Sequence, residues 1–329
     1  MRSKRKDEHV EFALKQPDQK SPFESMRLKQ NSLPEIDVAD VDLSATYLGH
    51  SFAVPFYINA MTGGSEKTKE INRKLALIAK KYGLAMAVGS QHAALDDASL
   101  RSSYAIVREV NPDGFIMGNV NCNATLEDAQ RAIEMIKADA LQIHINVAQE
   151  LTMREGDRTF RHWISHIEQI VAGVDVPVLV KEVGNGMDRE SVRKLIEIGV
   201  KSVDVSGRGG TNFIWIEDSR NEKPRYDYLK DWGMSTLESL LDNQVNMHDV
   251  EFLASGGVKT PLDVIKCLVL GAHGVGISKM FLDLAVHDDM DLDGFIEDLK
   301  HIMVMLNKRT LSELTTVHYV CEDIQWRHS

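Results

Sequence analysis

Ser255-Gly256-Gly257 follows the apolar run 250–254, and one helix length later Gly276-Ile277-Ser278-Lys279 follows Gly274-Val275. Glycine lets backbone N–H groups approach an anion closely, and a hydroxyl adds a donor. Two such turns at neighbouring strand ends read as a cradle for a phosphate monoester. Earlier apolar runs end in a different set of groups. Ala60-Met61-Thr62 closes the first, Ser90-Gln91-His92 the second and Asn119 the third. His144, Asn146, Gln149 and Glu150 cluster at the fourth, Lys181 follows the fifth, and Ser206 to Thr211 follow the sixth. Amides and hydroxyls suit the donor and acceptor edge of a planar heterocycle, and a lysine can hold negative charge developing on it. A phosphate cradle facing such an edge fits flavin mononucleotide.

Each residue taken alone has a plainer reading. Asn119 could cap a turn, and Lys181 could be a solvated surface lysine. His144 could be a hydrogen-bonded core histidine, Glu150 a carboxylate at a helix start, and Arg5, Lys6 and His9 a frayed basic tail. The glycine turns are hardest to dismiss, because two at adjacent strand ends would have to coincide.

The elements that must position these groups are short apolar runs: 56–60, 85–88, 115–118, 140–145, 178–180, 202–205, 250–254 and 274–277. They are too uniformly apolar for half-exposed strands, as a parallel sheet covered on both faces requires. Helical punctuation separates them. Ile71, Leu75, Ile78 and Ala79 form a stripe ending at Gly83, Thr125 with Asp128 and Ser235 with Glu238 form capping boxes, and Val192, Leu195 and Ile196 precede Gly199. Thr260-Pro261 is a cap followed by proline at the first helical position. Eight such units predict an α/β fold, a (β/α)8 TIM barrel over 55–329, with function at the C-terminal strand ends. An open doubly wound sheet shares the rhythm. Residues 1–54 form an N-terminal extension with a basic tail and a hairpin at Gly49-His50. Residues 209–233, rich in Trp and Tyr, read as a lid-like loop after the sixth strand. Met303, Leu306 and Leu311 extend a helical pattern towards Trp326.

A net charge of -11 argues against general nucleic-acid binding. The 3 cysteines lack metal-type spacing, and neither a signal peptide nor a membrane span is legible, so a cytoplasmic protein is expected.

The ordered segments Arg5-Lys6-Asp7-Glu8-His9, Asn59 to Gly64, Val88 to Gln91, Gly118-Asn119, His144 to Glu150, Val180-Lys181-Glu182, Val205 to Thr211 and Ser255 to Gly257 resemble the type 2 isopentenyl-diphosphate isomerases. That resemblance implies an FMN-dependent isomerisation with no net redox change, needing Mg2+ and NAD(P)H, the latter NADPH or NADH as flavin reductant. It implies flavin contacts at Ala60, Met61, Thr62, Ser90, Asn119 and Lys181, and phosphate or ribityl contacts at Ser206, Thr211, Gly256, Gly257, Ser278 and Lys279. Arg5, Lys6, His9, Ser90, His92, Asn146 and Gln149 would bind the diphosphate substrate. Gln149, Lys181 and His144 would be catalytic, Glu150 the metal ligand, and the assembly a homotetramer or larger. His92 stands where many relatives have arginine. Three alternatives stay open. An FMN-dependent 2-hydroxy-acid oxidase would want a histidine before Gly-Gly, an inosine-monophosphate dehydrogenase-like barrel a loop cysteine, and a silent flavin-binding barrel neither Gln149-Glu150 nor the basic tail.

Overall fold

In the computed structural model, residues 2–17, 19–287 and 291–321 are described, with side chains from residue 7 onward. Eight parallel strands close a barrel: β1 (Phe56–Ile58), β2 (Met86–Ala87), β3 (Ile116–Asn121), β4 (Ala140–His144), β5 (Val178–Lys181), β6 (Ser202–Asp204), β7 (Glu251–Ser255) and β8 (Gly274–Ile277). Every strand pairs with its sequence neighbour, and β8 returns to β1 through Val275↔Phe56 and Ile277↔Ile58. The open sheet is thereby excluded, because no edge remains. All eight predicted runs are strands, with boundaries moved by a residue or a few. Two of those moves matter. Asn119 lies inside β3 and Lys181 is the last residue of β5, so both project from the rigid barrel wall and not from the loops expected after it.

Helices alternate with the strands. α1 (Arg2–Lys15) precedes the barrel, and α2 (Glu66–Tyr82) follows β1. α3 (His92–Asp96) and α4 (Ser102–Val110) follow β2, and α5 (Leu126–Ile136) follows β3. α6 (Val147–Thr152) and α7 (Trp163–Gly173) follow β4, and α8 (Arg189–Glu197) follows β5. α9 (Phe213–Arg220) and α10 (Thr236–Asp242) follow β6, α11 (Pro261–Val269) follows β7, and α12 (Lys279–His287) and α13 (Leu292–Met305) follow β8. The three sequence-read caps close as expected. Thr125, Ser235 and Thr260 each accept from the backbone N–H three residues on, at Asp128, Glu238 and Asp263. Gly83 ends α2 at φ 62°, in the left-handed region. The C-terminal pattern is broken where one helix was read: α13 stops at Met305, and Leu311 begins a separate 3-10 turn. Trp326 lies outside the described residues.

The N-terminal extension is built into this frame. The hairpin Ala45–Tyr47/His50–Phe52 turns at Leu48 and Gly49, both at positive φ, and seals the N-terminal end of the barrel. Tyr47 is fully buried there, stacked on Phe52 at 4.3 Å and packed with interior side chains such as Met117, Leu179 and Leu253. Phe23, Met26, Ile36, Val41 and Leu43 join the core shared by the barrel helices. Met26–Leu28 also pairs antiparallel with Tyr319–Cys321. With the other end sealed, the barrel is open only at the C-terminal strand ends.

Segment 209–233 carries structure that the loop reading missed. It holds α9, whose Ile214, Ile216 and Glu217 are buried, and a 3-10 turn at Asp227–Leu229. α1 packs over this helix, with Val10 buried and the Phe12 ring edge-on to Trp215 at 6.2 Å.

Candidate active site

The C-terminal strand ends enclose a cavity of about 1080 Å3. One small ligand needs roughly 300–1,000 Å3, so the space suits a cofactor and a substrate together. Apart from Thr62, Arg5 and Lys6, every residue to which the resemblance gives a site role lines it. Thr62 lies just behind the wall, and the side chains of Arg5 and Lys6 lie outside the described residues.

On one side the wall is backbone. Gly256 sits at φ +95°, and a Cβ there would come within 2.0 Å of Gly207 O, so the loops after β6 and β7 touch where only glycine fits. Thr236 ties them, donating its Oγ1 to Ser255 O at 2.7 Å and Gly256 O at 2.6 Å and accepting from Gly207 N at 3.2 Å. Ser206 holds a left-handed φ of 35°, fixed by its N–H donation to Asp204 Oδ1 at 3.0 Å. Ser278 precedes α12, whose N-terminal end faces the cavity and favours an anion.

Inside the barrel mouth the polar groups interlock. Asn119 donates to Gln142 Oε1 at 3.0 Å, and its Oδ1 lies 2.8 Å from His144 Nδ1, which puts the proton of a neutral ring on that nitrogen. His144 is therefore partnered across strands at the cavity face. Lys181, only 4% exposed, donates to Glu182 O at 2.6 Å. Burial lowers its pKa, opposed by the charges of Asp204 and Glu182. Asp204 is fully buried and accepts from Tyr57 Oη, Asn59 Nδ2 and Ser255 Oγ at 3.0, 3.2 and 2.8 Å. The Glu182 carboxylate accepts from the amides of Val183, Gly184 and Asn185, while burial raises its pKa to about 7. Neither carboxylate was marked by sequence reasoning. Both sit at strand ends in apolar surroundings, which is the one signal that could have found them.

The opposite side is a chain of side chains. Gln149 Nε2 donates to Glu217 Oε1 at 2.9 Å, and Gln149 Oε1 accepts from Asn146 Nδ2 at 3.2 Å, so its amide is held from both ends. Asn146 also donates to Glu150 Oε1 at 2.8 Å, and Asp157 N donates to Glu150 Oε2 at 2.8 Å. Glu150 does sit in the first turn of α6, as the helix-start reading has it, but it is buried at 6% exposure and its carboxylate is fully engaged. Glu217 is met by His9 Nε2 at 3.0 Å and by Arg220. Burial pushes the Glu217 carboxyl up, but bonds and charge from His9, Gln149 and Arg220 prevail and leave it at about 2. Glu217 was missed because nothing in its helix sets it apart from other charged residues. His9 itself is packed edge-on to Phe213, part of a docked helix and no frayed tail. His92 opens α3 half-buried, with Nε2 accepting from Asn121 N at 3.3 Å, a role arginine could not fill.

Two observations test the fit of a flavin nucleotide. The Thr62 Oγ1 is buried with no hydrogen-bond partner, next in sequence to Met61 of the cavity wall, and across the mouth Gly209, Gly210, Gly256 and Gly257 bring backbone to the cavity with no side chain to cover it. Both suit the group. For a divalent cation, no cluster of three or more His, Cys, Asp or Glu occurs among the described residues. Glu150 alone fits a cation only where the substrate's own oxygens supply other ligands.

Comparison with known proteins agrees with the barrel and with a flavin-dependent family. Residues 101–319 match the family described as FMN-dependent dehydrogenase. The isopentenyl-diphosphate delta-isomerase of Staphylococcus saprophyticus is 48% identical over 325 residues, covering 97% of this chain and 94% of that protein. The enzyme of the same name from Listeria innocua is 48% identical over 322 residues, covering 95% and 90%. Among solved structures, a mandelate oxidase variant with an FMN adduct superposes with a TM-score of 0.63 at 17% identity, covering 91% of this chain and 89% of that one. A flavocytochrome b2 variant with benzoylformate superposes at 0.64 and 19% identity, covering 91% and 76%. These structures share the barrel alone.

Proposed function

Because the chain belongs to the isopentenyl-diphosphate delta-isomerases and is an isomerase on an FMN-dependent barrel, we propose that it interconverts isopentenyl and dimethylallyl diphosphate over reduced FMN. Mg2+ would sit at Glu150, and NADPH or NADH would serve only to reduce the flavin. The observation that carries this reading is the Gln149 amide, clamped between Glu217 and Asn146 and facing the same cavity as the glycine cradle.

Moving the double bond requires a proton gained at one carbon and lost at another, with cationic character between them. Bound FMN, held by Thr62, Ser90, Asn119, Lys181 and the cradle loops, supplies an electron-rich face when reduced. The protein does the rest by placement and exclusion of water. Lys181, buried at the end of β5, balances negative charge at the ring site. Ala60, Met61, Ser206, Thr211, Ser278 and Lys279 complete the cofactor wall. Gln149 faces the hydrocarbon chain with its amide orientation set, and Glu217 behind it stays ionised. His144 and Asn146 flank the diphosphate end, where Glu150 offers a hard oxygen ligand. Arg5, Lys6 and His9, carried by α1, are the proposed diphosphate clamp, since charge-assisted bonds are about twice as strong as neutral ones.

The hydroxy-acid oxidase reading lacks its base. Ser255 occupies the position before Gly-Gly, and its hydroxyl is committed to Asp204. Further proposals are a small-molecule diphosphate as the sole partner class, and a homotetramer or larger assembly. No helix among the described residues is long and apolar enough to cross a membrane.

Anaerobic assay of isopentenyl diphosphate with the reconstituted, reduced flavoprotein and Mg2+ tests the reading. Dimethylallyl diphosphate should form with reduced and not oxidised flavin. Purified protein that stays colourless and cannot be loaded with FMN, or equal turnover with oxidised flavin, would end it.

A further inference from the structure

Gln16 lies just past α1, and its side chain reaches the cradle. Its Nε2 donates to Gly210 O at 2.9 Å, and its Oε1 accepts from Asn212 N at 2.8 Å. These two backbone groups flank Thr211, so one amide side chain pairs with the loop as a neighbouring strand would. Pro22 closes the other half. A Cβ built on Gly209 or Gly257 would lie 2.7 or 2.6 Å from Pro22 Cδ, so the proline ring rests on the glycine loops after both β6 and β7. Between these two points the chain is tied again, by Lys259 Nζ donating to Gln19 O and Ser21 Oγ donating to Asp263 Oδ1 at 3.1 Å. Lys266 Nζ then donates to Phe23 O at 2.7 Å. Asp263 also caps α11 through the amides of Lys259 and Thr260. The described residues 16–17 and 19–23 are thus fastened at both ends to the glycine loops, as a strap would be, and Gln16, Pro17 and Gln19 line the cavity beside them.

We infer that Gln16 is a positioning residue for the phosphate cradle and the latch of a strap that must lift before the cofactor exchanges. The N-terminal segment then has two separable duties: α1 faces the substrate, and the strap behind it controls retention of FMN. This rests on the FMN reading above. Removing the Gln16 amide leaves a carbonyl and an N–H beside Thr211 to be satisfied by water, which loosens the loop and the strap together.

The test is the rate at which the FMN-loaded protein releases flavin on dilution, followed by recovery of flavin fluorescence. Gln16→Ala should release FMN about tenfold faster, as two lost neutral hydrogen bonds imply, with the melting temperature of the apoprotein unchanged. Pro22→Gly should act in the same direction, giving a second route should the first variant fold poorly. Lys15→Ala, on the exposed face of α1, should release at the wild-type rate. Saturating FMN should also slow tryptic cleavage after Lys15 and Lys20. Wild-type release rates in both strap variants, or cleavage indifferent to FMN, overturn the latch while leaving the cofactor assignment intact. Wild-type protein that retains no FMN overturns both.

Discussion

The wall formed by the loops after β6, β7 and β8 offers the cavity mainly backbone, whereas the wall formed by α1, α6 and α9 offers it side chains drawn from distant parts of the chain. On the first wall Gly256 has a Cβ clash waiting at 2.0 Å and Thr236 laces two loops through one hydroxyl. On the second, Gln149 depends on Glu217, 68 positions away in sequence, and Glu217 depends on His9. The backbone wall suits a resident group that should stay, because its donors need no side-chain ordering. The side-chain wall suits a reacting group, because carboxylate, amide and imidazole can be tuned one against another.

If that division is right, each wall can be broken without the other. The largest effect is expected from Gly256→Val, where backbone strain of about 1–3 kcal/mol adds to the clash. FMN affinity should fall on the order of 100-fold or more, read as lost visible flavin absorbance in protein whose circular dichroism shows a folded barrel. Full flavin occupancy would move the phosphate elsewhere.

Glu217→Gln is the converse. It should keep its flavin while kcat drops by about tenfold or more, the scale of the charge-assisted hydrogen bonds that set the Gln149 amide and hold His9. Its pH signature has a definite sign. The folded carboxyl titrates at about 2 against 4.5 for the free group, so its stabilisation is complete above pH 4.5 and disappears as pH falls towards 2. The variant should therefore lose less melting temperature on acidification than the wild type does; equal slopes would contradict the network.

Deleting residues 1–9 removes His9 and the basic cluster while sparing Gln16. Flavin should remain, and KM should rise by about tenfold or more for loss of charge-assisted contacts. Unchanged steady-state kinetics would count against α1 as a clamp. A smaller effect is expected for Glu150→Gln, with about a tenfold higher Mg2+ requirement and normal flavin content, since one charged oxygen ligand becomes a neutral one. An unaltered magnesium titration would remove Glu150 from the metal site.

Smallest is Glu182→Gln, between the two walls. With a folded pKa of about 7, raised by burial, the native state holds its proton longer than the unfolded chain, so this group costs stability as pH rises from 4.5 through 7. The variant should flatten the melting temperature over that window. A slope identical to wild type would show that the three backbone amides keep the carboxylate ionised throughout.

The two walls were also unequally legible. Glycine turns after apolar runs announce a backbone site locally, because φ and Cβ clearance are properties of a few adjacent residues. The eight strands were legible for a similar reason. A strand buried on both faces must be apolar throughout its length, and the caps at Thr125, Ser235 and Thr260 close within one turn. The family motifs supplied Gln149 and Glu150. They contained Glu182 without giving it a role, and they did not supply Glu217 or Asp204, whose neighbours in sequence look ordinary.

The sequence by itself therefore determined the barrel and placed the glycine turns and polar residues at its strand ends, since each is encoded by contacts over a few positions. Tertiary structure decided which charges meet. Only closure of the sheet brings Tyr57, Asn59 and Ser255 onto Asp204, and only the docking of α1 over α9 sets His9 against Glu217 and Gln16 against the cradle. Such pairs are joined through space across most of the chain, and no local propensity records which distant partner a buried polar group will find.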